Sequence, residues 1–135
     1  MSHRYLRVVI GLGMTLAGVP ALAHHAVAAQ YDMDKPIEMT GTLKKMEFIN
    51  PHSMLHLEVT KPDGTKTVWI FQTTAVAPLR QRGLARSGPG SLEPGATYTV
   101  KGFAARNGNP MGFLRTLVFP DKREIVFWFG DPNGN

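Results

Sequence analysis

Cysteine is absent from this chain of 135 residues. The absence excludes disulfide bonds, a lipid anchor attached through a cysteine thiol, and a thiol nucleophile. A small domain without cross-links must be stabilised by its apolar core, so the sequence predicts a conventionally packed domain rather than a disulfide scaffold.

A hydrophobic run long enough to span a membrane is also missing from the N-terminal region. The uncharged run Val8–Val19 has 12 residues, whereas a membrane-spanning helix needs about 20. Arg4 and Arg7 precede the run and Ala21-Leu22-Ala23 follows it, which is the pattern of a secretory signal peptide. We therefore expect cleavage between Ala23 and His24, a periplasmic or secreted mature protein, and no permanent membrane anchor. The alternative cleavage triplet, residues 26–28, lies further from the apolar run.

Common catalytic signatures are missing as well. The chain has no Gly-x-Ser-x-Gly elbow, no Gly-rich phosphate loop and no metalloprotease helix motif. These absences favour a binding protein over an enzyme. After removal of residues 1–23, 13 basic residues remain against 10 acidic ones, a net charge of +3 with neutral histidines. Such a charge predicts no particular partner, and export makes nucleic acid an unexpected one.

The remaining 112 residues suffice for one domain and are too few for two. We expect a signal peptide over residues 1–23, an extended arm over residues 24–36, a barrel domain over residues 37–129 and a flexible tail over residues 130–135. Protein partners cannot be inferred from these boundaries.

The arm is followed by patterns typical of β-strands. Apolar residues alternate with polar ones over Ser53–Thr60, and Lys61-Pro62-Asp63-Gly64 predicts a turn into a further strand. In the strand that precedes Ser53–Thr60, the apolar residues occupy odd-numbered positions up to Leu43 and even-numbered positions from Met46. The sequence therefore predicts a β-bulge near Lys44-Lys45, which keeps the apolar side inward.

The order of elements indicates the fold class. Three strands precede a short helix over Thr74–Arg82, and two or three more strands follow it. This order predicts an all-β protein with one short helix, built as a small Greek-key barrel of the OB type. A β-sandwich is the alternative, but it suits the position of the helix less well.

Several short motifs resemble a family of small exported bacterial proteins catalogued as a domain of unknown function. That family typically opens with His-His after the signal peptide and carries Asn-Pro-His at the end of the first long strand. The resemblance implies the OB-like fold and the compartment, and it implies no activity. This chain departs from the family pattern at residues 53–56 and at Leu84, where the family is expected to have aromatic residues. The motifs that carry it are His24-His25, Tyr31-Asp32, Lys35-Pro36, Gly41-Thr42, Asn50-Pro51-His52, Leu79-Arg80 to Gly83, and Leu92-Glu93-Pro94-Gly95.

Metal binding is the sharpest functional hypothesis. A mature N-terminal His24 offers its amine and its Nδ1 to one ion, and a further imidazole completes a histidine brace. Such nitrogen ligands favour copper, with zinc second. His52 is the first candidate for the further imidazole, because Pro51 restricts the backbone before it. His56 is the second candidate, and His25 is a supporting ligand.

Met54 is a conditional ligand in this hypothesis. If the strand is regular from residue 52, then His52, Met54 and His56 project from one face, with neighbours about 6.6 Å apart. The Met54 thioether would favour Cu(I). The competing interpretation is structural, in which these histidines are surface or turn residues and the methionine fills space.

A binding module that uses no metal is the second functional hypothesis. OB-like barrels bind ligands by aromatic stacking beside basic side chains, and an envelope glycan, a peptide or a small metabolite would be the ligand here. The residues of the required types are Trp69, Phe71, Tyr98, Phe103, Trp128, Arg80, Arg82, Arg86, Lys101 and Arg106.

Overall fold

A computed structural model of the chain describes residues 27–128. The predicted signal peptide, His24, His25 and the predicted tail lie outside these residues. Residues 27–30 are helical. The remaining elements are β1 (Tyr31–Glu47), β2 (Met54–Thr60), β3 (Lys66–Gln72), α1 (Val76–Gln81), β4 (Thr97–Ala105), β5 (Met111–Val118) and β6 (Glu124–Val126).

The strands form one closed barrel. They are hydrogen-bonded in the order β3-β2-β1-β4-β5-β6, and parallel pairing of β3 with β5 joins the two sides of the sheet. Closure therefore involves β1 to β5, while β6 adds a short antiparallel hairpin to β5. The helix lies between β3 and β4 in the chain. This architecture confirms the predicted all-β, OB-like barrel, and the helical segments in the described residues are short.

The first strand is longer than its sequence pattern predicts. It contains the predicted bulge, since Leu43 pairs with Leu57 and Lys45 with His56, which leaves Lys44 as the extra residue. The strand also starts at Tyr31, within the segment predicted as an arm. Its register against β4 is irregular between Tyr31 and Pro36, so the regular alternation visible in the sequence begins only after the proline.

Alternation along β2 fixes which side chains fill the barrel. Leu55 and Leu57 are completely buried, whereas Met54 and His56, which alternate with them, face outward and are partly exposed. Apolar side chains from every strand and from α1 join them in the barrel interior. This core comprises Leu43, Leu55, Leu57, Phe71, Leu79, Leu84, Tyr98, Val100, Leu114, Leu117, Phe119, Ile125 and Phe127.

The helix is shorter than predicted and is fastened at its C-terminal end. It covers six residues, and Leu79 is its buried side chain. After its last residue, the Arg82 guanidinium donates a hydrogen bond to the Val126 carbonyl oxygen. Within residues 27–128, no helix is long and apolar enough to cross a lipid bilayer.

A second apolar cluster lies on the outside of β4 and β5. Phe103 and Phe113 are cross-strand neighbours that point away from the barrel interior, and Tyr31 and Met33 cover them. The Tyr31 and Phe113 rings lie 5.7 Å apart, and Trp128 packs edge-on against Phe113 at 5.6 Å. This outer cluster attaches both ends of the described chain to the barrel.

Close backbone approach makes Gly102 essential to the pairing of β4 with β5. A Cβ at this position would lie 1.9 Å from the Phe113 carbonyl oxygen. We expect Gly102→Ala to lower the free energy of unfolding by about 3 kcal/mol or more, measured by urea denaturation. Gly64→Ala is the control, because Gly64 has a φ of 83° but open space around it, and should cost only about 1–2 kcal/mol. Equal losses would contradict the proposed backbone clash.

Candidate functional site

A cleft of about 250 Å³ opens at the end of the barrel where β1 and β3 end and β2 begins. Five separate parts of the chain meet around this space. Its lining consists of Val27, Pro51, His52, residues 73–75, Phe113, Phe127 and Trp128.

The loop that presents His52 is held against the end of β3. Ser53 and the 73–74 segment exchange two backbone hydrogen bonds, Ser53 N to Thr74 O at 3.0 Å and Thr73 N to Ser53 O at 2.9 Å. The Asn50 side-chain oxygen accepts a hydrogen bond of 3.1 Å from Val76 N, a free donor at the start of α1. These bonds fix the residues on both sides of the cis Asn50-Pro51 bond and His52. His52 itself is exposed.

The N-terminal segment reaches the same cleft because two sets of contacts hold it. Tyr31 packs in the outer cluster and donates a hydrogen bond of 3.0 Å from its hydroxyl to Gln72 Oε1. Burial raises the pKa of Tyr31, so the hydroxyl remains protonated and can donate. Arg106 also holds the segment, through its Nε to Ala28 O at 3.0 Å and its backbone N to Gln30 O at 3.0 Å. Val27 is thereby placed in the cleft wall.

The cleft is mainly apolar and contains one unusual polar group. Among the described residues that line it, only His52 has an ionisable side chain. Thr73 is 1 % exposed, and within residues 27–128 its Oγ1 is the one buried side-chain N or O atom without a hydrogen-bond partner. Buried hydroxyls are normally paired, so this group is an exception among the described residues.

Three of the predicted metal ligands, His52, Met54 and His56, lie among the described residues. His52 lies in the loop before β2, which begins only at Met54, so a regular strand does not include it. Met54 and His56 face outward from β2, and the His56 Nε2 lies 3.0 Å from Glu47 Oε1. Within residues 27–128, no three His, Asp or Glu side chains lie close enough together to hold a metal ion.

The acidic partner of His56 belongs to a small charged cluster on the barrel surface. A hydrogen bond from the Lys45 ammonium, supported by the positive field of Lys45 and by His56, lowers the pKa of Glu47 below its usual value of 4.5. The carboxylate therefore remains charged in the folded protein at a pH where it would begin to protonate in the unfolded chain.

Most aromatic residues predicted for a stacking surface are core residues instead. Phe71 and Tyr98 are buried in the barrel, and Phe103 is buried in the outer cluster. Trp69 is half-buried and stacks on Phe71 at 5.9 Å. Trp128, by contrast, lines the cleft. The predicted basic residues are spread over several elements: Arg80 lies in α1, Arg82 directly after it, Arg86 in the following loop, Lys101 in β4, and Arg106 beside the N-terminal segment.

The sequence pattern did not identify Val27, Thr73, Phe113 and Phe127 as site residues. Each belongs to a different segment, and the cleft forms only when the barrel closes. The one available signal was the polar pair Thr73-Thr74 directly after an apolar strand, which marks the position where β3 leaves the barrel core.

The bond from Asn50 to the helix start can be tested by substitution. We expect Asn50→Ala to lower the free energy of unfolding by about 1 kcal/mol, because Val76 N then loses its acceptor. Asn50→Asp keeps an acceptor oxygen and should lose less. Thermal or urea unfolding measures both variants, and equal losses would show that the hydrogen bond is unimportant.

The Glu47 cluster predicts a specific dependence of stability on pH. A carboxylate with a lowered pKa stabilises the fold fully above its unfolded pKa, and this contribution is lost as the pH falls through the folded pKa. Glu47→Gln should therefore be less stable than wild type above pH 4.5, and the difference should close at lower pH. When Lys45 is replaced by alanine, Glu47→Gln should cause a smaller loss of stability, because Lys45 is the main cause of the lowered pKa of Glu47. Urea unfolding from pH 3 to 7 checks this, and parallel wild-type and Glu47→Gln profiles would contradict it.

Comparison with known proteins gives a family and no activity. The model of the Family of unknown function (DUF6152) matches residues 13–115, which is most of the chain. No curated protein matches this chain. The functional inference therefore depends on the residues of the cleft.

Proposed function

We propose that this chain, which belongs to the Family of unknown function (DUF6152), is an exported barrel protein that binds a transition metal at the mouth of its cleft, with copper preferred over zinc. His24 supplies the N-terminal amine and Nδ1, and His52 supplies the further imidazole. His25 is a supporting ligand.

The observation that carries this proposal is the presence of Val27 and His52 in the lining of one cleft. His24 precedes Val27 by three residues. Three extended residues span at most about 11 Å, so His24 is restricted to the neighbourhood of the cleft if Val27 is in its wall. The shared lining of Val27 and His52 supports the brace, because the brace needs an N-terminal segment close to the Asn50-Pro51-His52 loop.

The chemistry of the donors supports copper. An amine and two imidazoles form a nitrogen-only ligand set, and divalent copper binds such sets more tightly than zinc does. The exposed His52 ring is accessible to an ion, and the hydrogen bonds of Asn50 and Ser53 limit the movement of its loop. His56 is less suitable because its Nε2 already contacts Glu47, and Met54 shares its outward face.

Export is part of the proposal because it creates the ligand. Cleavage after Ala23 would release the amine of His24, whereas any residue left in front of His24 converts that amine into an amide. The signal-like pattern of residues 1–23 supports this step.

Copper titration of four purified proteins tests the site. Protein that begins at His24 should bind one equivalent of Cu(II) with a nitrogen-rich paramagnetic resonance spectrum. One extra N-terminal residue should change that spectrum and weaken binding. His52→Ala should weaken binding by at least about tenfold, since even the loss of an outer-shell partner costs about 10–100-fold. The exposed Lys66→Ala is the control and should bind like wild type.

Two results would contradict this assignment. An unchanged affinity and spectrum in the extended protein would exclude the terminal amine. Loss of binding in a fifth protein, His56→Ala, with retention in His52→Ala would place the metal on the outer face of β2 instead of at the cleft.

A further inference from the structure

We infer that a surface at the cleft end of the barrel binds the face of an anionic lipid bilayer. This surface, which we call the loop patch, comprises residues 48–52, α1 and Arg86. The Ile49 side chain would enter the boundary between lipid headgroups and acyl chains, and Arg80 and Arg86 would contact lipid phosphates. The inference goes beyond the proposed metal site and does not depend on it.

The three parts of the loop patch are joined by hydrogen bonds. Asn50 Oδ1 accepts one from Val76 N at 3.1 Å. Arg80 follows Val76 by about one helical turn, so the two residues share a side of α1. From the loop after α1, the Arg86 guanidinium donates a hydrogen bond to the Phe48 carbonyl oxygen, and its carbon lies 5.8 Å from the centre of the Phe48 ring. Two arginines therefore lie beside one loop.

This loop presents an apolar side chain to solvent. Residues 49–52 are all exposed. Ile49, at 46 % exposure, and Val68 are the two exposed large hydrophobic residues within residues 27–128. The loop is also held in place, since Ser53 Oγ donates a hydrogen bond of 3.1 Å to the Ile49 carbonyl oxygen. A contact that is already positioned loses less conformational freedom when it binds.

The charge around the loop is positive. Residues 48–57 and 73–92 together contain three arginines and no Asp or Glu. Glu47 and Glu93 flank these segments, and the Glu47 carboxylate lies against the Lys45 ammonium. An anionic lipid surface attracts such a region, and each basic side chain near the surface strengthens the attraction. The loop patch thus has the charge that anionic lipids require.

The combination of both features favours a bilayer over an acidic protein. Arginines alone would suit either partner, because both partners carry negative charge. A lipid surface satisfies both features at once, since its phosphates attract the arginines and its acyl region accepts an apolar side chain. An acidic peptide would leave Ile49 in water unless it also offered an apolar contact.

Sedimentation of the mature protein with vesicles in excess EDTA tests the inference. One set of vesicles contains equal parts of phosphatidylglycerol and phosphatidylcholine, and the other contains phosphatidylcholine alone. We expect binding to the anionic vesicles that weakens as salt rises from about 0.01 to about 0.15 M. Binding to the neutral vesicles should be at least about tenfold weaker, because it lacks the attraction of the arginines.

Two pairs of variants separate the loop patch from the rest of the surface. Arg80→Gln should weaken binding to anionic vesicles about fivefold, and Ile49→Ser by a similar factor. The matched controls are Lys61→Gln and Val68→Ser. Lys61 is an exposed residue at the opposite end of β2, and Val68 is the other exposed apolar residue. Both controls should bind like wild type.

A fluorescent label gives a second measurement that does not depend on affinity. Because the chain has no cysteine, Ile49→Cys and Val68→Cys can each carry a single environment-sensitive fluorophore. The emission of the label at position 49 should shift to the blue with anionic vesicles, whereas that of the label at position 68 should not.

Three results would overturn the inference. They are the failure of wild type to bind anionic vesicles at low salt, equal losses in Arg80→Gln and Lys61→Gln, and equal shifts of the two labels. Binding to soluble polyglutamate without binding to vesicles would also overturn it, and would assign the loop patch to an acidic protein. EDTA removes the metal, so failure here would leave the copper proposal standing.

Discussion

Three hydrogen bonds join the loop after β1 to the segment after β3, and the rest of the site depends on them. Two connect Ser53 with residues 73 and 74, and the third connects Asn50 with the first turn of α1. Together they determine where β2 begins, where the helix starts and how His52 is presented. They also place Thr73 in the cleft wall.

The outer cluster supplies the other half of the site. In this cluster Tyr31 packs on Phe113 and holds the N-terminal segment against the barrel. Arg106 fixes the same segment by donating hydrogen bonds to the backbone oxygens of Ala28 and Gln30. The same cluster positions Trp128.

Local patterns in the sequence predicted most of the barrel. Alternation along β2 and the parity change around Lys44 depend on neighbouring residues alone, and the structure confirms both. The early start of β1 was not predictable, because Pro36 and the irregular pairing before it interrupt the alternation. The cleft was predicted only in part. His52 and Trp128 were identified by residue type, whereas Phe113 and Thr73 belong to the site only because β3 and β5 pair over a long sequence separation.

Paramagnetic broadening by Cu(II) tests whether the mature N-terminus and His52 share one metal at the cleft. One equivalent of Cu(II) should first broaden the NMR signals of His52, Ser53 and Thr74 and the Trp128 indole. The signals of His56 and Glu58 on the outer face of β2 should broaden less. Broadening centred on His56 and Glu47, or spread evenly over the surface, would show that the metal does not bind at the cleft.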